Sequence, residues 1–223
     1  MRFKKHYTYC AFLTALLLVF SSCSTKKKSW AHKKYHNITA KYNGYFNGNE
    51  SFKAGVKKLQ KKHQDDFTNI LSFYQTGELK KSTTTHSYMD KAIKKSSIVI
   101  QKHSIKIKGK EYCKWIDDNY LLVGKAYFYK GEFDEAIKTF AFIKKEYEKS
   151  EICFEASLWL IRSYVEKKDF STAEEELQEL KKNRKFPKKL KLELTKNAAN
   201  FYLQQKNYSL ALDELIKIEK LIK

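Results

Sequence analysis

Along the first third of the chain the apolar positions keep a helical spacing with interruptions. Ile38, Tyr42, Tyr45 and Phe46 fall at i, i+4, i+7 and i+8, and Phe52, Val56 and Leu59 continue the pattern beyond Gly48 and Asn49. That spacing predicts a helix hairpin across roughly 31 to 63, turning at Gly48–Asn49. Residues 64–86, QDDFTNILSFYQTGELKKSTTTH, have no clean period and read as a long loop pinned by Ile70, Leu71, Phe73 and Tyr74. Tyr88, Met89, Ala92, Ile93, Ser96, Val99 and Ile100 mark a further helix face. IKIKGKE at 105–111 alternates like a strand, but its length and charge favour a loop. Residues 31–112 are thus expected to be a degenerate helical hairpin region.

From Trp115 the pattern becomes periodic at a longer range. NYLLVGKAYFYKGEFDEAIKTF, residues 119–140, places Gly124, Tyr127, Gly131, Phe133, Ala136 and Phe140 at the spacing of a tetratricopeptide (TPR) repeat. The reasons are steric: Gly124 lets two helices approach, Tyr127 fills the groove between them, Gly131 sits in the turn, and Ala136 must be small where helix B crosses helix A. Leu160, Tyr164, Phe170, Ala173, Leu177 and Leu180 repeat the register. Ala198, Ala199, Tyr202, Tyr208, Ala211, Leu215 and Ile218 repeat it again. The crossing alanines, Ala136, Ala173 and Ala211, lie 37 and 38 residues apart. Three units are expected, at about 115–149, 151–184 and 188–222, within a region spanning 113–223. Ser150 is expected to cap one A helix and Pro187 to open another. The fold class predicted is all-α, a TPR-type α-solenoid of stacked hairpins with a concave face lined by A helices. Lys223 follows the last B helix directly, so its outer apolar face is expected to need a partner or further chain.

The chain starts differently. Arg2, Lys4 and Lys5 precede an eleven-residue apolar stretch, Cys10 to Phe20, broken only by Thr14. Spanning a bilayer takes about twenty apolar residues, so the stretch is too short for a stable transmembrane helix. A basic start, a short apolar middle and a small-residue exit predict a cleaved signal peptide over 1–22. VFSSC at the exit resembles a bacterial lipobox, which implies acylation of Cys23 and a lipid-anchored basic linker over 23–30. Ser24 beside the anchor favours the outer membrane, and the lack of an acidic run places the chain on its periplasmic face. Lys26–Lys28 would lie against phospholipid head groups.

Apolar residues make up 42% of the 223 residues and aromatics 15%, enough for a real core. Seven glycines and one proline favour helix. The formal charge of +20 admits an anionic partner, but only Arg2, Arg162 and Arg184 are arginines. Lysine lacks the planar fork that reads phosphates and base edges, and an exported chain does not meet nucleic acid, so nucleic acid is not an expected partner.

YHNITAKYNGYFNGNESFKAGVKKL, MDKAIKK and KWIDDNYLLVGKAYFYKGEFDEAIKTF resemble the N-terminal part of the SprE/PorW lipoproteins. These are TPR proteins of the Bacteroidetes gliding-motility and type IX secretion apparatus, and the resemblance covers about 30–185. It implies a lipoprotein on the periplasmic side of the outer membrane that links parts of the secretion machine, with periplasmic or outer-membrane proteins of that machine as partners. Members of that family continue through more repeats than this chain carries.

Candidate chemistry is sparse. Asp65–Asp66 and Asp117–Asp118 are adjacent pairs whose side chains diverge by about 100° on a helix, so neither forms a facing dyad. Asp117 and Asp118 suit the first turn of a helix, where the dipole favours a carboxylate. No Ser-His-Asp set, Walker loop or HExxH motif occurs, and no catalytic residue or cofactor is expected. His32 and His36 stand at i, i+4 without an evident third ligand; they read as surface histidines, with no metal. Cys113 and Cys153 start consecutive A helices but differ in repeat position by about three residues, which favours buried free thiols over a disulfide.

The register also yields the expected partner-binding groove. The first unit supplies Asp118, Leu121, Lys125, Phe128 and Tyr129. Glu155, Leu158, Arg162 and Glu166 come from the second, and Lys196, Asn200 and Gln204 from the third. Leu121 and Lys125 stand where carboxylate-clamping TPRs carry other residues, so a folded partner or helix is expected, not a free peptide tail. The function predicted is a non-enzymatic scaffold. The alternative is an envelope-binding module that recognises anionic lipid or peptidoglycan through lysine charge.

Overall fold

The computed structural model describes residues 29–68, 71, 73–74 and 83–223. The expected signal peptide, Cys23, Lys26–Lys28 and loop residue Ile70 lie outside them. Helix α1 (Trp30–Thr39) runs through a π-helical turn (Ala40–Tyr45) into α2 (Phe46–Lys62), and α3 (Thr83–His103) returns alongside. A two-stranded hairpin, β1 (Lys106–Ile107) and β2 (Lys110–Glu111), precedes three helix pairs. These are α4 (Ile116–Lys130) with α5 (Phe133–Glu146), α6 (Ile152–Glu166) with α7 (Phe170–Lys182), and α8 (Lys191–Gln204) with α9 (Tyr208–Ile222). A 3₁₀ turn, Lys188–Leu190, leads into α8. The described chain is therefore all-helical but for the hairpin, and consecutive helices pack on one another along its length.

The three pairs share one turn. Each first helix ends in a left-handed residue: Gly131 (φ 80°), Lys168 (φ 63°) and Lys206 (φ 61°). The next amide returns to a carbonyl five residues back: Glu132 N–H to Tyr127, Asp169 N–H to Tyr164, and Asn207 N–H to Tyr202. Asp169 Oδ1 then accepts from Thr172 N–H and Asn207 Oδ1 from Leu210 N–H, which caps α7 and α9. Glycine adopts the left-handed region freely; the two lysines hold it at a steric cost.

Ala136, Ala173 and Ala211 are buried where the paired helices cross, and a Cβ added to Gly124 would lie 2.5 Å from the ring of Phe140. Tyr127, Tyr164 and Tyr202 are half-buried against the same clusters. No pair closes its core alone. Leu121, Phe128, Ala136, Phe140 and Ile143 of the first pair form one cluster with Ala156, Trp159 and Leu160 of the second. Leu158, Ile161, Ala173 and Leu177 of the second form another with Leu194, Ala198 and Phe201 of the third. The outer face of α9 leaves Leu212, Ile216 and Ile222 exposed.

The N-terminal helices depart from the sequence expectations in four ways. The chain stays helical through Gly48–Asn49, so 31–63 is one long helix and not a hairpin. Its glycines serve close approach instead of turning: a Cβ on Gly44 would lie 1.7 Å from Val99 Cγ2, and one on Gly55 2.7 Å from Met89 Cε. The buried stripe is consequently small and polar, His36, Ala40, Gly48, Ser51, Gly55 and Leu59, facing Met89, Ala92, Ser96 and Val99 of α3. Ile38, Tyr42 and Phe46, expected to face inward, are exposed. Secondly, helix α3 begins at Thr83, so the last residues of the expected loop are helical.

Thirdly, 105–111 does form strands. Lys108 and Gly109 take positive φ in a tight turn, and the Glu111 carboxylate accepts from Ile105, Tyr112 and Cys113 N–H, which satisfies the short ladder's open end. Lastly, His36 is buried, not a surface residue. In the repeats, Ser150 makes no side-chain cap to α6, whose N-cap is Glu151. Pro187 precedes the 3₁₀ turn, where its missing N–H costs nothing.

Candidate functional site

The inner faces of α4, α6 and α8 line up a ladder of charged and aromatic side chains. Lys125 Nζ bonds Glu155 Oε1 at 2.6 Å, joining the first pair to the second. One turn further along α6, Trp159 stacks near Phe140 and lies edge-on to Phe128 and Tyr129. The Arg162 guanidinium lies 4.4 Å from the Trp159 ring and reaches into the third pair, with Nη2 donating to Glu193 Oε2 at 2.6 Å and Nε to Asn197 Oδ1 at 3.1 Å. Lys196 closes the row on Glu193 at 3.0 Å.

The electrostatics follow from burial. Burial raises Asp118 to about 6, reinforced by Asp117 and Glu155 and opposed by Lys125. Burial pushes the Glu193 carboxyl upward too, but Lys196 and Arg162 outweigh it and hold the group below its ordinary value. Arg162 is 6% exposed, so its charge stands on Glu193, Asn197 and two aromatic faces. The second face belongs to Tyr74 from the α2–α3 connection, whose ring lies 4.2 Å from the guanidinium. Burial drives the Tyr74 hydroxyl up to about 12 against the pull of Arg162. The chain thus lays one of its own rings across the middle of the ladder.

Of the expected groove residues, Asp118, Lys125, Tyr129, Glu155, Arg162 and Lys196 come together here, with Asp118 and Tyr129 half-buried. Leu121, Phe128 and Leu158 are interior, packed in the inter-pair clusters, and offer a partner no surface. Asn200 is also buried, Glu166 half-buried, and Gln204 lies exposed at the end of α8. Periodicity assigned Leu121, Phe128 and Leu158 to the wrong side because a helix sandwiched between two neighbours buries more than one stripe. Trp159, Glu193 and Asn197 were missed. Glu193 and Asn197 stand at i and i+4, which puts both on one face of α8, but only the packing of α8 on α6 shows that this face meets Arg162.

A second cluster lies outside the ladder. His36 Nδ1 is 2.9 Å from His103 Nδ1, and its Nε2 is 3.1 Å from His32 Nε2. His36 is therefore the middle of a row, bonded on both sides, and the three rings do not converge on one point. Among the described residues no group of three or more His, Cys, Asp or Glu is arranged to hold a metal. Burial, then His32 and His103, lowers the His36 pKa, and burial with Lys102 lowers that of His103. Cys113 and Cys153 are buried free thiols, and burial pushes Cys113 up to about 11. Among the described residues no helix is long and apolar enough to cross a membrane. No protein-family model matches the chain, and no curated protein matches it.

Proposed function

We propose that the chain is a non-enzymatic TPR scaffold, an α-solenoid that holds a protein partner along the inner ladder of its three repeats. The recurring left-handed turn and the buried crossing alanines support the TPR assignment within the all-helical fold. The observation that carries the binding role is the ladder itself. It crosses all three pairs: Trp159 and Arg162 are buried and back it, and Lys125, Tyr129, Glu155, Glu193 and Lys196 are the partly exposed side chains that a partner would meet. On this reading the inner face offers a partner shape and charge over a long span.

The resemblance of the YNGYFNGNE block and the first repeat to SprE/PorW lipoproteins supports a setting in type IX secretion and gliding motility. On this reading the chain is a lipoprotein, anchored through Cys23 on the periplasmic face of the outer membrane. Its partners are then periplasmic or outer-membrane proteins of that machine.

The test is affinity purification from Bacteroidetes envelopes of the wild type and of Lys125→Glu, which breaks the first rung at a partly exposed position. The wild type is expected to retain secretion-machine proteins and an acylated N-terminus, read by mass spectrometry. The variant is expected to lose those proteins while keeping its helical circular dichroism. Equal recovery by both removes the ladder as the binding face.

A further inference from the structure

The segment from α1 to the start of α2 turns its apolar side chains outward. Trp30 is 74% exposed, Ile38 48%, Tyr42 60% and Phe46 55%, while the face against α3 is small and polar. Close packing explains the inward half, because Gly44, Gly48 and Gly55 bring the helices together. Among the described residues the outward half stays exposed.

That outward half is interleaved with Lys33, Lys34 and Lys41. Across an open concavity of about 560 Å³ it faces Tyr112, Lys114 and Trp115, and among the described residues no carboxylate lines the space. Lys33 Nζ lies 3.9 Å from the Tyr112 ring centre, Lys34 4.8 Å from that of Trp30, and Lys41 5.0 Å from those of both Tyr42 and Trp115. Among the described residues none of these four lysines pairs with an acid. Residues 1–49 contain nine Lys and Arg and no Asp or Glu.

We infer that this face docks on an anionic phospholipid surface. Exposed Trp and Tyr beside lysine make up the composition of the membrane–water interface: the rings lie at head-group depth, and the ammonium groups meet the phosphates. A helix lying in that plane needs apolar side chains and lysine on one exposed face, and the stretch from α1 through the π-helical turn to the start of α2 supplies both. Two other anionic occupants fit less well. Single-stranded nucleic acid stacks its bases on open ring faces, whereas Lys33, Lys34 and Lys41 already occupy one face of each of these rings. The core of a protein interface is depleted in lysine, and here lysine is central. The inference goes beyond the groove reading and does not depend on it, and it holds with or without an acyl group on Cys23.

The test uses the full chain as Cys23→Ser, so that partitioning reports this face and not an anchor. Binding is measured by co-sedimentation with vesicles of phosphatidylglycerol and phosphatidylcholine, and with phosphatidylcholine alone. Lys33→Glu, Lys34→Glu, Lys41→Glu and Lys114→Glu together form the test variant. Lys91→Glu, Lys94→Glu, Lys95→Glu and Lys102→Glu, all exposed on α3, form a control of equal charge change. Every variant shares the apolar N-terminal stretch, so the difference between variants is the readout.

The test variant is expected to bind anionic vesicles at least about tenfold more weakly than the parent, with the control within about threefold. Vesicles should also shift Trp fluorescence to the blue in the parent, and Trp30→Phe should lose most of that shift. Equal losses in the two charge variants overturn the inference, as does equal binding to neutral vesicles. So does tighter binding to single-stranded DNA or poly-glutamate than to anionic vesicles. Loss of partner capture by Lys125→Glu, or lack of an acyl group on Cys23, leaves this comparison unchanged.

Discussion

The N-terminal helices and the helix pairs that follow are both rich in lysine but use it in opposite ways. Residues 1–112 carry 23 Lys and Arg against six Asp and Glu; residues 113–223 carry 22 against 19. In the pairs the lysines meet acids across helices. Lys125 bonds Glu155, Lys144 bonds Glu176 and Glu179, Lys167 bonds Asp134, and Lys181 bonds Glu214. At the N-terminus Lys33, Lys34 and Lys41 lie on aromatic rings instead. A total charge therefore says little about partners until it is resolved by region. One half of this chain neutralises its charge internally to fix the stacking of pairs. Among the described residues the other sets Lys33, Lys34 and Lys41 on rings at its surface.

The largest break in the comparison is expected at the buried arginine of the ladder. Glu193→Ala leaves the Arg162 guanidinium buried without its carboxylate, which should cost about 3 kcal/mol in urea unfolding. Replacing both groups, as Arg162→Met with Glu193→Leu, should recover most of that loss. The second break is confined to the other half. Gly44→Ala puts a Cβ into Val99, at a cost of about 2 kcal/mol. Hydrogen exchange should then show lost protection in α1–α3, with the amides of α6–α9 unchanged.

Acidity should pull the two halves in opposite directions. Asp118 has a folded-state pKa raised by burial from 3.8 to about 6, so the folded form binds the extra proton and stability falls as pH rises through that window. Asp118→Asn should therefore stabilise the chain at pH 7, on the order of 1 kcal/mol once solvent screening is allowed for, and flatten the profile between about pH 4 and 6. His36 and His103 are depressed, so the unfolded chain binds protons first. Their contribution is lost as pH falls below 6.5, and His36→Gln should remove the His36 share of that loss and leave the His103 share, read from urea midpoints against pH. The smallest effect is at the turns. Lys168→Gly and Lys206→Gly should each raise stability by about 0.5 kcal/mol, because glycine relieves the left-handed backbone, less its own entropy cost.

The repeats were more legible in the sequence than the N-terminal helices, for a physical reason. The small residue at each crossing and the residue closing each first helix recur at 37 and 38 residues, so sterics write a period into the chain. In α1 and α2 the same residue type means something else. Gly48 reads as a breaker, yet it lies inside a helix that approaches α3 closely, which only the partner helix reveals. The outward Ile38 and Tyr42 read as core because spacing reports a stripe and not which way it faces. His103 joins His36 across 67 residues, a contact no local window contains. The ladder was half legible: Lys125, Glu155 and Arg162 follow from register, whereas Trp159 and Glu193 join them only through the packing of α4, α6 and α8.

The division of labour itself has a direct test, in which one charge reversal is made in each region and both binding activities are read on the same preparations. Lys34→Glu with Lys41→Glu should lose anionic-vesicle binding and keep envelope protein partners, whereas Lys125→Glu should keep vesicle binding and lose the partners. Loss of both activities in either variant, or a reversal of the two outcomes, would contradict the account.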